Sequence, residues 1–172
     1  MTQHFASLGP CLDGGGFVLE EPMSDRASLF PPSVCLMAQH SQRATGVPAC
    51  VTLAQWALES DYGTALSGHN NPFGIKGQPG RLCWTWEVVG GKYQHVQAYF
   101  KDFATLEEAF AAHGRMLVRK DGYYTAALPY LKDWRKFIEH MAPVYATDPH
   151  YAAKLVHIIE ANSLQGFDLP GT

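Results

Sequence analysis

One carboxylate in this sequence stands where an acid catalyst could be built. Glu59 ends a mostly apolar helical segment over residues 49–60, and a glycine-rich stretch begins soon after it. Burial against Trp56, Phe73 or other aromatic side chains would raise the pKa of this carboxyl and keep it protonated near neutrality. A protonated carboxyl is what general-acid cleavage of a glycosidic bond requires. On the helix pattern alone, the alternative is a solvated glutamate that caps the helix or forms a local ion pair.

Aromatic and amide side chains downstream of Glu59 could line a groove for a sugar chain. Sugar rings present apolar C–H faces and a rim of hydroxyl groups, so such a groove needs aromatic plates and hydrogen-bonding groups. The candidate plates are Trp84, Trp86, Tyr93, Tyr99, Tyr123 and Tyr124, and the candidate hydrogen-bonding residues are Asn70, Asn71 and Gln78. Because side chains alternate between the faces of a strand, we expect about half of these aromatic residues to be buried. If Glu87 faces the cleft, Trp84 and Trp86 pack onto the body of the domain.

Metal-dependent and nucleophilic chemistry have little support in the sequence. The four cysteines are Cys11, Cys35, Cys50 and Cys83. They form no Cys-x-x-Cys pair, so no metal site is expected, and the sequence allows one or two disulfides without deciding between them. The eight histidines include no pair spaced four residues apart around a glutamate, and we expect them at the surface or at helix caps. Ser60 lacks the glycine-flanked turn of a serine nucleophile, and Cys50 lies on an apolar helix face.

The elements that must position these residues are mostly helices. Hydrophobic periodicity and capping residues predict helices over residues 33–45, 49–60, 105–118 and 131–141, and Asp148-Pro149 opens a last helix. Residues 67–80 contain four glycines and two prolines, which predicts a loop. A hairpin follows, with strands over 82–89 and 92–100 and a turn at Gly90-Gly91. His113-Gly114 predicts a close packing contact within the third helix.

Composition indicates one folded domain and a ligand without strong negative charge. The chain has 172 residues, of which 47% are hydrophobic, and this suffices for one core. Thirteen Lys and Arg against sixteen Asp and Glu give a formal net charge of −3, which argues against nucleic acid and favours a neutral or amphiphilic polymer. Neither a run of about 18 apolar residues nor a positively charged start is present, so no membrane span and no ordinary secretion signal is predicted.

Four motifs occur along the chain in a particular order. Glu59-Ser60 ends a helix, residues 70–76 (NNPFGIK) form a loop, residues 85–93 (TWEVVGGKY) form a hairpin, and residues 145–152 (YATDPHYA) lead into the last helix. In this order they resemble the bacterial glucosaminidases of glycoside hydrolase family 73, which include flagellar muramidase-like proteins, autolysins and phage lysins that cut peptidoglycan. The resemblance covers residues 33–162, about three quarters of the chain.

The resemblance implies a role for each matching residue. Glu59 matches the catalytic acid, Glu87 matches a second glutamate before the hairpin turn, and Tyr145 matches an active-site tyrosine that orients the sugar or the attacking water. The residues expected to bind substrate at the floor of the cleft are Asn70, Asn71, Phe73, Gly74, Lys76 and Tyr151. The sequence departs from the family pattern at Pro72, at residues 100–103 and in the short interval of 28 residues between the two glutamates. These departures concern the loop and Glu87 and leave Glu59 untouched.

The implied fold is mainly α (α+β), a lysozyme-like helical domain with a small β-hairpin beside the cleft. The implied activity is that of an endo-β-N-acetylglucosaminidase on peptidoglycan glycan strands, with no cofactor. The alternatives are a lytic transglycosylase with a single catalytic Glu and a catalytically inactive glycan-binding module. We expect an N-terminal arm at 1–32, the glucosaminidase domain at 33–165 and a C-terminal tail at 166–172. We also expect a monomer that acts on the cell wall, in the periplasm or outside the cell, after delivery by a phage, a specialised secretion system or a flagellar export route.

Overall fold

Helices make up most of the fold, as the sequence predicts. The computed structural model describes residues 29–89 and 92–170, so most of the predicted arm and the turn at Gly90-Gly91 lie outside the described residues. No helix in these two ranges is long and apolar enough to cross a membrane. The helices are α1 (Pro32–Thr45), α2 (Ala49–Ser60), α3 (Leu106–Leu117), α4 (Trp134–Tyr145) and α5 (Tyr151–Ala161). The strands are β1 (Gly80–Val89) and β2 (Lys92–Lys101), and short 3₁₀ segments span Thr125–Tyr130 and Leu164–Phe167.

Helix α2 is the central element of the core. Eleven of its twelve residues are buried, and it contacts α1, α4, α5 and the Leu164–Phe167 segment. A helix that is buried on every side is stable only where other elements surround it. Gly46 ends α1 with a left-handed φ of 80° and Pro48 precedes α2, so the two helices meet in a tight corner. As a result, the polar side chains that α2 carries lie in the protein interior.

The hairpin turns its aromatic face to solvent. β1 and β2 pair antiparallel along their whole length. Cys83 and Thr85 are buried, whereas Trp84 and Trp86 on the opposite face are 59% and 54% exposed. The inward packing expected for the tryptophans is therefore not found. Small side chains face the body of the domain instead. His95 stacks between the two indoles, with its ring centroid 4.8 Å from each. Ring contacts across the strands thus take the place of contacts with the core.

Capping and close packing fix the helices that follow the hairpin. The side chain of Thr105 accepts a hydrogen bond from the backbone N–H of Glu108, which confirms the predicted start of α3. Gly114 of α3 lies against α1, because a Cβ at this position would be 2.3 Å from Ser41 Oγ. The predicted packing contact is thereby confirmed. α4 continues to Tyr145, four residues beyond its predicted end, because its buried face continues that far despite a proline in the last turn.

The packed fold extends past the boundary expected at residue 165. Gln39 Nε2 donates to the carbonyl of Phe167 at 2.9 Å. The backbone N–H of Cys50 donates to Asp168 Oδ1 at 2.8 Å. The residues from Phe167 to Leu169 are therefore bonded to α1 and α2 and belong to the folded domain rather than to a separate tail.

Candidate active site

The end of α2 is held rigidly around Glu59. Asp61 takes a left-handed φ of 47° and ends the helix. Ser60 Oγ donates to the carbonyl of Trp56 at 2.6 Å and accepts from the backbone N–H of Gly63 at 2.9 Å. Both bonds commit the buried hydroxyl to closing the helix end, which leaves it unsuited to nucleophilic attack. The backbone that carries Glu59 is thus fixed on both sides.

The carboxyl of Glu59 lies in a nearly dry environment. Only 9% of the residue is exposed. Burial disfavours the charged form and raises the pKa of Glu59 to about 7, while a hydrogen bond from Tyr151 partly opposes this rise. The hydroxyl of Tyr151 donates to Glu59 Oε1 at 2.6 Å. The neutral carboxyl, the form that a general acid needs, is therefore available near neutral pH.

Three buried tyrosines surround this carboxyl. Tyr145, at the end of α4, stacks on Tyr151 of α5 with ring centroids 5.4 Å apart, and the ring of Tyr124 lies 5.9 Å from that of Tyr145. Burial, and then the nearby charge of Glu59, raise the pKa of all three phenols, so their hydroxyls stay protonated. The sequence predicts aromatic side chains around Glu59, and the fold supplies these three from segments distant in sequence. Tyr145 is fully buried, and its role in orienting the sugar or the attacking water stays a prediction.

A stack of rings joins the loop over residues 67–80 to α3. Phe73 is fully buried; its ring stacks on that of His113 with centroids 4.0 Å apart and meets Phe110 edge-on at 4.9 Å. His113 lies edge-on to Tyr145 at 6.3 Å. Complete burial lowers the pKa of His113 to about 3, and neither ring nitrogen has a hydrogen-bond partner among the described residues. The prediction of a surface or capping position is wrong for this histidine.

The amides of the predicted cleft floor bond to the backbone of the loop. Asn71 Nδ2 donates to the carbonyls of Ile75 and Lys101, each at 2.8 Å, and Asn70 Nδ2 donates to that of Phe103 at 3.1 Å. Asn71 is fully buried and holds the loop in shape, and its contact with substrate stays a prediction. Asn70 is half-buried, and its contact with substrate stays a prediction.

The other residues predicted for the cleft floor differ in burial. Phe73 and Tyr151 are buried, and Tyr151 bonds to the carboxyl of Glu59. Their contact with substrate stays a prediction. Gly74 is buried and takes a left-handed φ of 62°, which favours glycine at this bend. Lys76 is half-buried at an isolated bridge to β2, and its role in binding stays a prediction.

The predicted aromatic plates and second glutamate lie mainly on the hairpin. Of the predicted aromatic plates whose side chains are described, only Tyr124 is buried, so fewer are buried than the half that we expected. The exposed ones are Trp84, Trp86, Tyr99 and Tyr123. Glu87 lies in β1 opposite Gln94. Its side chain, like that of Tyr93, lies outside the described residues. Its partnership with Glu59 stays a prediction.

Other reactive side chains form no comparable site in the part of the chain that the structure describes. No group of three His, Cys, Asp or Glu residues there could hold a metal ion. Cys35, Cys50 and Cys83 are buried and form no disulfide with one another. Burial raises the pKa of the Cys50 thiol far above its ordinary value, and a neutral thiol is a poor nucleophile. Acid–base chemistry at Glu59 is therefore the chemistry that this arrangement supports.

Gln55 is a site residue that the sequence analysis missed. It lies on α2 one turn before Glu59 and is fully buried, and its Nε2 donates to the hydroxyl of Tyr151 at 3.2 Å. Residues four apart share a helix face. A polar side chain on the same face as the acid, in an otherwise apolar helix, was the available signal.

Solved structures to which this chain is similar include domains that are named as catalytic or glycoside hydrolase domains. The chain is similar to the catalytic domain of the autolysin Auto from Listeria monocytogenes, with a TM-score of 0.71 and 25% identity, over 87% of this chain and 91% of that one. It is also similar to the glycoside hydrolase domain of Salmonella typhimurium FlgJ, with a TM-score of 0.62 and 25% identity, over 83% and 91% of the two chains. Fold and site together define a lysozyme-like α+β domain of the glycoside hydrolase class.

Family membership follows from the sequence match. Residues 35–164 match the glucosaminidase family model, described as mannosyl-glycoprotein endo-beta-N-acetylglucosaminidase. The chain therefore belongs to the glucosaminidase family, glycoside hydrolase family 73, as its four motifs indicate. Relatives include the exo-glucosaminidase LytG of Bacillus subtilis, 30% identical over 84% of this chain and 54% of its own length. Another is the peptidoglycan hydrolase FlgJ of Escherichia coli K12, 29% identical over 82% and 48%. The chain spans about half the length of these two relatives.

Proposed function

We propose that this chain is a peptidoglycan hydrolase, an endo-β-N-acetylglucosaminidase that cleaves the glycan strand after N-acetylglucosamine. Family membership and the peptidoglycan hydrolases among its relatives support a glycosidase that acts on cell-wall glycan. The observation that carries the proposal is the buried carboxyl of Glu59, which has a pKa near 7 and accepts a hydrogen bond from Tyr151. A carboxyl in this state can give up a proton at neutral pH.

In the proposed reaction, Glu59 gives its proton to the glycosidic oxygen while the bond from that oxygen to the anomeric carbon breaks. The oxygen of a water molecule adds to the anomeric carbon. In one form of the step, Glu87 takes the proton of this water. In the other, Glu87 stabilises the positive charge that develops on the sugar ring, and the ionised Glu59 takes the proton of the water. Tyr145, which stacks on Tyr151, acts as a positioning residue for the acid. No metal or cofactor takes part in this scheme.

Product analysis of a peptidoglycan digest tests the proposal. Purified peptidoglycan is digested with the full chain and with Glu59→Gln, and the fragments are identified by mass spectrometry. We expect new reducing ends on N-acetylglucosamine with the wild type. Turnover should fall by about 100-fold or more with the variant, the size of a lost general acid. A folded Glu59→Gln variant with wild-type turnover would contradict the assignment of the acid.

The same digest separates the competing activities. Anhydro-muramic ends would mean that the C6 hydroxyl of the sugar attacks instead of water, as in a lytic transglycosylase. Release of terminal units alone, without internal fragments, would indicate an exo-glucosaminidase, the activity named for LytG. Binding to peptidoglycan without any cleavage would indicate an inactive glycan-binding module.

We also propose that residues 33–165, with the packed residues up to 169, form the catalytic domain, and that it acts as a monomer in the periplasm or outside the cell. The cell-wall hydrolases among its relatives support this location. Light scattering coupled to gel filtration tests the monomer, with a mass near 19.0 kDa expected. A mass of twice that value would contradict it.

A further inference from the structure

Gln55 is a buried amide whose burial is unfavourable for packing alone. Its Nε2 lies 3.2 Å from the hydroxyl of Tyr151 and 3.8 Å from Met141 Sδ. Its Oε1 is buried and has no hydrogen-bond partner among the described residues. A leucine or methionine would fill the same space without burying an unpaired carbonyl, and buried unpaired carbonyls are costly. The amide therefore points to a role in the site.

The groups around Tyr151 fix the direction of each hydrogen bond. The amide NH₂ of Gln55 can only donate, so the oxygen of Tyr151 accepts from it. Tyr151 has a single hydroxyl proton, and its oxygen lies 2.6 Å from Glu59 Oε1, so this proton is directed to the carboxyl. A bond donated to the phenol oxygen also strengthens the bond that the phenol donates. Gln55 thus both orients and strengthens the bond from Tyr151 to Glu59.

The direction of that bond decides which carboxyl oxygen carries the acidic proton. Glu59 Oε1 faces a donor, and a proton on Oε1 would oppose the hydroxyl proton of Tyr151. We propose that Gln55 is a positioning residue for glycosidic cleavage: through Tyr151, it confines the acidic proton of Glu59 to Oε2, the oxygen left free for the leaving group. This inference rests on the proposed function and on Glu59 as its acid.

The pH dependence of turnover distinguishes this role from a structural one. Turnover is followed as the release of reducing ends from purified peptidoglycan by the full chain. Gln55→Leu should lower kcat about tenfold with little change in KM. It should also move the alkaline limb of the profile to higher pH, because the Tyr151 hydrogen bond lowers the pKa of Glu59 and the variant weakens that bond. A variant that merely loosened the core would admit water, favour the charged carboxylate and move the limb to lower pH.

Two further variants complete the test. Tyr151→Phe should shift the alkaline limb in the same direction, and adding Gln55→Leu to it should change kcat no further, because Gln55 acts through Tyr151. Thr52→Val is the matched control: Thr52 is also fully buried on α2 with an unpaired oxygen, but among the described residues it has no bond to Tyr151 or Glu59, so this variant should keep wild-type kcat. If Gln55→Leu does not fold, Gln55→Met, which keeps the unbranched shape, takes its place.

The outcomes separate this inference from the proposed function. Wild-type kcat and pH profile in the Gln55 variant, a limb moved to lower pH, or full additivity with Tyr151→Phe would each overturn the role of Gln55 and leave the glycosidase assignment intact. Absence of glycan cleavage by the wild-type chain would instead defeat the proposed function itself.

Discussion

Replacing Glu59 by Gln should stabilise the protein at high pH, although it removes the acid. The native pKa of about 7 lies above the value of 4.5 for a free glutamate, because burial disfavours the charge. Between these two pH values the native state holds a proton that the unfolded chain has released. The stabilising contribution is therefore fully present below about pH 4.5 and is lost as the pH rises to about 7. The full difference corresponds to about 3 kcal/mol of unfolding free energy.

Urea unfolding at pH 5 and pH 8, followed by circular dichroism, measures this difference. The amide of the Glu59→Gln variant carries no charge at either pH and can still accept the bond from Tyr151. The stability of the variant relative to wild type should therefore rise by roughly 2–3 kcal/mol between pH 5 and pH 8. All other titrating groups are common to both proteins and cancel in the comparison. Glu139→Gln, at an exposed position on α4, controls for removal of a carboxylate, and its relative stability should change far less.

Equal relative stabilities of Glu59→Gln at the two pH values would refute this reasoning. The carboxyl would then be hydrated in the native state, and burial could not keep it protonated at neutral pH. A large pH-dependent change in the Glu139→Gln control would show that the effect is not specific to the buried site.

Three further predictions concern the hairpin and the core. Glu87→Gln should cut turnover on peptidoglycan substantially and leave binding mostly intact, as Glu59→Gln does; wild-type turnover would make Glu87 a surface residue of the strand. His113→Phe should gain roughly 2–3 kcal/mol of stability relative to wild type when the pH of urea unfolding is lowered from 8 to 4.5, because the wild-type protein, whose buried neutral histidine has a pKa of about 3, loses stability as the pH falls below 6.5. A gain independent of pH would contradict it. Gly114→Ala should lower the free energy of unfolding by about 1–3 kcal/mol in the same assay, because its Cβ would lie 2.3 Å from Ser41 Oγ. An unchanged midpoint of unfolding would show that α1 and α3 can separate freely.

The local structure of this protein could be predicted from its sequence because it depends on neighbouring residues. Thr105 and the acidic residues after it specify the start of α3, and Gly46 with Pro48 specifies the corner before α2. Alternation with two adjacent glycines specifies the hairpin. Alternation leaves open which face of the hairpin packs inward, so the inward packing of Trp84 and Trp86 was predicted only for the case in which Glu87 faces the cleft. That choice depends on what the body of the domain can accommodate.

The sequence also singled out Glu59: the local helix pattern makes it a candidate, and the order of the four motifs matches it to the catalytic acid of the family. The surroundings that tune it were decided by the tertiary structure. Tyr151, whose hydroxyl bonds to the carboxyl, is 92 residues further along the chain, and its partner Gln55 is 96 residues before it. Helical periodicity shows that such residues are buried but not which residues of other helices they meet. The pKa of Glu59 depends on these contacts between helices, because burial and hydrogen bonding act through space rather than along the chain.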